Sequence, residues 1–135
     1  MYAVIALAIA LAACGTEYSP PPTFTDIYTA TFPEHAKGQC NHCHSLPPND
    51  KSNGMLSMGQ DRMTAYVALM AGVSSSSRCG GMTLVVPFDP DASLFVQKFS
   101  PNPPCGDRMP FGEPPLEAAQ LERIRLWIED GAPNN

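Results

Sequence analysis

The sequence predicts an all-α, loop-rich small domain over residues 24–135, and three observations carry that expectation. Leu121, Ile124, Trp127 and Ile128 recur at the three- and four-residue spacing of one helix face, with Gly131 placed as a C-terminal stop. Met63, Tyr66, Val67 and Met70 repeat that spacing in mid-chain. The 15 Pro and 10 Gly among 135 residues interrupt everything between, so the helices should be short and joined by irregular loops. A chain this size buries only a modest core, and a large apolar ligand would add to it. The 13 acidic and 8 basic residues give a net charge of −5 without a run of either sign. That argues against nucleic acid as a partner; it fits ordinary solubility and leaves open the steering of a basic partner protein.

Residues 1–13 are uncharged and almost wholly apolar, and they end in Leu11-Ala12-Ala13-Cys14-Gly15. This resembles a bacterial lipoprotein signal with its lipobox. The resemblance implies cleavage before Cys14, which becomes the lipid anchor, and export to a membrane facing the periplasm or cell exterior. Gly15 after the anchor, in place of Asp, implies the outer membrane in a Gram-negative host. No Lys or Arg precedes the apolar run, a departure from the pattern that leaves an upstream start open. The run is shorter than the roughly 20 residues of a spanning helix, so a permanent transmembrane segment is the weaker alternative. Residues 14–23 include Glu17-Tyr18-Ser19-Pro20-Pro21-Pro22-Thr23, whose prolines favour extended backbone, and read as a lipidated tether.

The first helix is expected from Thr25 as cap through Ile27, Tyr28 and Phe32, with Pro33 interrupting it. Next comes Cys40-Asn41-His42-Cys43-His44, a Cys-x-x-Cys-His run and the attachment signature of a covalent c-type haem. On a helix Cys40, Cys43 and His44 fall within an arc of about 100°, while His42 points to the other side. Two thiols and one imidazole thus share a face, which is what two thioether bonds and one axial iron ligand need. His35 and His42 are expected at the surface. Tyr28 and Phe32 are candidates for the wall beside the macrocycle or for plain core packing. Two other uses of Cys-x-x-Cys remain, a redox dithiol and half of a zinc site. The flanks show no βαβ pattern for the first, and no second cluster for the other.

Residues 45–50 read as a loop whose backbone is a candidate partner for the second imidazole nitrogen of His44. A helix from about Gln60 to Ala71, stopped by Gly72, should pack its Met63, Tyr66, Val67 and Met70 face on the core. Ser74 to Gly81 reads as a turn, Thr83 to Val86 as an extended piece, and Asp89-Pro90 as a helix start leading to Phe99. The proline-rich stretch from Ser100 to Pro115 should be an ordered loop, and Leu116 to Asp130 the last helix, with Glu117 at its start.

Three blocks in this order resemble exported bacterial monohaem c-type cytochromes. They are Cys40 to His44, Val86-Pro87-Phe88-Asp89-Pro90-Asp91-Ala92-Ser93-Leu94 with Cys105-Gly106-Asp107-Arg108-Met109-Pro110, and Ile124-Arg125-Leu126-Trp127-Ile128-Glu129-Asp130-Gly131-Ala132. The resemblance spans about Phe24 to Ala132 and implies a cytochrome c-like fold wrapped around one haem c, with crossed N- and C-terminal helices. It further implies one-electron transfer to redox partner proteins, no small-molecule substrate, and iron held by His44 and by Met109 in its proline-containing loop. Met82, Met55 and Met58 are the other candidates for the sixth position. Cys79 and Cys105 remain unassigned, and export puts them in an oxidising compartment where a disulfide is the expected reading. It would close a loop of about 26 residues. Two rivals stand beside this reading. One is a haem enzyme with an open, peroxidase-like sixth position; the other is a haem-free lipoprotein whose Cys40 and Cys43 bind zinc, with Cys79 and Cys105, or exchange disulfides.

Overall fold

The computed structural model describes residues 19–45, 56–74 and 76–135. The signal segment, Cys14, most of the tether, the loop from Leu46 to Asp50 and Met55 lie outside the described residues. Among the described residues there are five helices and no strand. They are α1 Phe24–Thr31, α2 Cys40–Cys43, α3 Arg62–Met70, α4 Leu94–Gln97 and α5 Ala118–Glu129. The extended piece expected at Thr83 to Val86 is reduced to a single antiparallel bridge between Val73 and Thr83.

Helix α1 starts two residues earlier than the spacing indicated, because its cap is Thr23 and not Thr25. The Thr23 hydroxyl accepts the Asp26 amide at 3.1 Å while the Asp26 carboxylate accepts the Thr23 amide at 2.9 Å, a reciprocal capping box. Thr25 instead uses both its amide and its hydroxyl on the Asn135 carbonyl, at 3.0 and 2.8 Å. The α5 end follows the Schellman pattern: Gly131, at φ +94°, donates to the Ile128 carbonyl and Ala132 to that of Trp127. The chain beyond that turn folds back, and the Trp127 indole and the Tyr66 hydroxyl donate to Pro133 and Ala132 carbonyls.

The core is the seam where α1 meets α3 and α5. Phe24, fully buried, touches the Trp127 ring with centroids 5.1 Å apart and the Tyr66 ring edge-on at the same distance. Ile27, Phe32, Leu69, Ile124 and Ile128 complete it, each at most 2% exposed. Burying aromatic and branched side chains of this size contributes about 1.5–3 kcal/mol each.

Two sequence expectations are corrected here. Helix α3 buries Ala65 and Leu69, not Met63 and Val67, which are 50% and 58% exposed. The helix carries apolar residues around most of its circumference, so spacing alone could not choose the face. The helix expected from Pro90 shrinks to four residues after Ser93. Asp89 closes a turn by accepting the Ala92 amide, and the fully buried Ser93 hydroxyl bonds the Asp89 carbonyl and Val86 amide, so this segment is a knotted turn.

Candidate functional site

Helix α2, which carries the Cys-x-x-Cys-His run, is only four residues long, too short to stand without tertiary support. Its placement comes from α1. At Gly38 the chain passes so close to the end of α1 that a Cβ would lie 2.4 Å from the Thr31 carbonyl oxygen. Gln39 then turns into the left-handed region, φ 48°, and the Asn41 amide donates to the Phe32 carbonyl at 2.9 Å. Asn41 is thereby buried and Cys40, Cys43 and His44 are turned together into one cleft.

The cleft has a volume of about 600 Å³, within the roughly 300–1,000 Å³ range of organic-ligand sites. Its walls are mainly apolar, with Leu56, Leu69, Leu84, Leu94, Phe95 and Phe99 among them. Met109 also lines it, so the four residues that the sequence singled out for haem share one cavity. The Met109 amide donates to the Lys98 carbonyl at 2.7 Å, which ties the proline-rich loop back onto the end of α4. His42, exposed as expected, also borders the cleft instead of facing fully away. His35 is exposed. Phe32 belongs to the core and Tyr28 packs against it; the phenylalanines that line the cleft are Phe95, Phe99 and Phe111.

His44 is oriented by the Leu56 carbonyl, beyond the 45–50 loop in which the sequence placed its partner. Its Nδ1 lies 2.7 Å from the Leu56 carbonyl oxygen, and the Met58 amide donates to the His44 carbonyl at 2.7 Å. A carbonyl only accepts, so Nδ1 carries the proton and Nε2 keeps its lone pair for a ligand. Burial lowers the His44 pKa, against the Leu56 contact that raises it, and nearby Lys98 lowers it further. The imidazole is thus neutral at neutral pH, the form that binds metals.

Cys40 and Cys43 are free thiols. Burial pushes the Cys40 thiol up to about 12, so it stays protonated at neutral pH. Redox dithiols of the Cys-x-x-Cys kind work through a thiol of lowered pKa, and Cys40 has the opposite environment. Cys79 and Cys105 are joined to each other, their Cα atoms 5.4 Å apart, and so are withdrawn from any four-cysteine metal site. Among the described residues no three His, Cys, Asp or Glu side chains gather into a group that could hold a metal ion. Met82 lies outside the cleft lining with its Sδ 3.6 Å from the Cys105 Sγ. Met58 does line the cleft, yet its backbone is bonded to His44 itself and its side chain is packed into the core.

The donor chemistry fits a covalently attached haem: two free thiols at three-residue spacing, an imidazole with its far nitrogen fixed, and a thioether, all in one mainly apolar cavity. Among the described residues no helix is long and apolar enough to cross a membrane. No protein-family model, no curated protein and no solved structure matches this chain.

Proposed function

We propose that this chain is an exported, lipid-anchored member of the monohaem cytochrome c family, working as a one-electron carrier. The observation that carries the reading is the joint presence of Cys40, Cys43, His44 and Met109 in a single apolar cleft. When bound, haem c would supply an iron that accepts and gives back one electron. Cys40 and Cys43 would hold it through thioether bonds. His44, held at Nδ1 by the Leu56 carbonyl, would bind the iron through Nε2. Met109 offers a soft thioether as the other, a ligand that favours the reduced metal. Leu84, Leu94, Phe95 and Phe99 would present an apolar wall to the bound group, and that too disfavours the more highly charged oxidised state.

If His44 and Met109 both held the iron, no position would be left on it for a substrate, and this is the basis for reading a carrier in preference to a peroxidase-like enzyme. The Cys14 anchor and residues 15–23 would keep the domain near a membrane surface, within reach of redox partner proteins. The test is mass spectrometry of protein coexpressed with a cytochrome c maturation system, after acid and organic extraction. The reading expects a retained mass increment of one haem, lost in Cys40→Ala/Cys43→Ala. Protein of unmodified mass from a strain that matures a control cytochrome would overturn it.

A further inference from the structure

Beside α2, and sharing no residue with the cleft, lies a second pocket of about 400 Å³ lined by Tyr28, Pro33, Glu34, Asn41 and Gln60. Three separate stretches of chain meet there. Tyr28 belongs to α1, with Pro33 and Glu34 in the turn after it; Asn41 belongs to α2, and Gln60 precedes the α3 cap.

The polar atoms gathered in this pocket are mostly acceptors. The Tyr28 hydroxyl donates its one proton to the Gln60 carbonyl at 3.0 Å, so toward Asn41 it is left as an acceptor, and it takes the Asn41 Nδ2 at 3.4 Å. That contact orients the amide, with the nitrogen turned to Tyr28 and Oδ1 on the other branch. Asn41 is only 9% exposed, and no donor among the described residues reaches its Oδ1. Among the described residues the Glu34 carboxylate pairs with no cation, and the Gln60 carbonyl, which has two lone pairs, accepts from the Tyr28 hydroxyl alone. Pro33 has no N–H to give. A buried acceptor without a donor is costly, and a carboxylate in the same pocket deepens the mismatch.

We propose that this pocket is a site for a hard cation of the calcium class, held by Asn41 Oδ1, the Glu34 carboxylate and the Gln60 carbonyl, with water completing the shell. A cation satisfies all three oxygens at once and asks the chain for no donor. Amide, carbonyl and carboxylate oxygens are the ligands calcium takes, about six to eight of them in loose geometry, whereas magnesium demands a smaller and stricter octahedron. With a single carboxylate the affinity belongs at the weak end of calcium sites, about 10⁻⁴–10⁻³ M. The ion would join α1, α2 and the approach to α3, and so brace a four-residue helix that is too short to stand alone. It binds whether or not the cleft holds haem, so the site stands apart from the reading above.

The experiment is equilibrium dialysis of the full chain, stripped with EDTA, against radioactive calcium in about 0.1 M KCl, which screens diffuse binding to the acidic surface. One ion per chain should be taken up. Glu34→Gln, at an exposed side chain, should weaken that uptake about tenfold by removing the one charged ligand. At ten times the dissociation constant, calcium should raise the native thermal midpoint by about 5 °C and that of Glu34→Gln by about 2 °C or less. No saturable uptake up to about 10 mM would leave the pocket to water and overturn the proposal. Uptake that Glu34→Gln leaves unchanged would place the ion elsewhere among the 13 acidic residues and overturn it equally. Asn41→Asp puts a second charge in the same shape and should tighten binding; an unchanged affinity would remove Asn41 as a ligand and the proposal with it. Should Asn41→Asp not accumulate, Glu34→Gln decides.

Discussion

Replacing the Cys79–Cys105 bridge by Cys79→Ala/Cys105→Ala tests how the Met109 loop is held. The two cysteines are 26 residues apart, and in the chain-entropy model a loop of that length stabilises the fold by about 3.5 kcal/mol at 25 °C. A domain of this size has a total stability of about 5–15 kcal/mol, so the bridge is a large share of it. At about 4 °C per kcal/mol, the unfolding midpoint should drop by about 14 °C. Two contacts hold the same loop without the bridge, the Met109 amide on the Lys98 carbonyl and the Lys98 ammonium on the Cys105 carbonyl. Each is worth about 1 kcal/mol and neither replaces a covalent link. The assay is thermal unfolding of the haem-loaded protein by circular dichroism, read beside the absorbance band that reports sulfur on iron. That band should weaken below the main transition in the variant. A midpoint within about 3 °C of native, equivalent to under 1 kcal/mol, would refute the reasoning.

Leu69→Ala should cost about 2–5 kcal/mol in urea titrations, since Leu69 is fully buried, whereas Val67→Ala, at a 58% exposed position, should stay within about 0.5 kcal/mol. Equal costs would mean that α3 turns its other face inward. Thr23→Ala should cost about 1 kcal/mol at pH 7. The Thr23 amide and, second to it, the Thr23 hydroxyl lower the Asp26 pKa below the ordinary carboxylate value of about 3.9; the variant loses only the hydroxyl's share, which is complete above that pH and is lost as pH falls through the lower folded value. Native and variant stability curves should therefore converge in acid, and a constant gap down to pH 2 would contradict the cap. Met109→Ala should open the iron to carbon monoxide and lower the reduction potential, while Met58→Ala should destabilise the fold and leave the axial spectrum unchanged. The reverse pattern would transfer the ligand role to Met58.

How far the molecule can be read from its sequence depends on what kind of contact each part uses. Helix α5 and its Gly131 stop are legible because a three-turn amphipathic pattern and a left-handed terminus leave local signatures. The grouping of Cys40, Cys43 and His44 on one face is legible because residue types at fixed spacing on a helix share an arc. The burial of α3 is not, since Met63 and Val67 are as apolar as Leu69 and only the position of α1 decides which face is covered. Capping at Thr23 is a choice between two threonines two residues apart, decided by Asp26 three positions on, a signal that was present in the sequence. The partner of His44 was beyond reach, because a backbone carbonyl twelve residues away carries no side-chain identity.

The central claim is a His44 and Met109 coordinated haem c, and the ultraviolet-visible spectrum tests it most directly. Protein matured with a cytochrome c assembly system would be recorded oxidised and dithionite-reduced, beside a denatured sample that reports covalent attachment. The account predicts sharp low-spin reduced bands and a sulfur-to-iron charge-transfer band in the oxidised form. A high-spin spectrum, or one without haem, would contradict it.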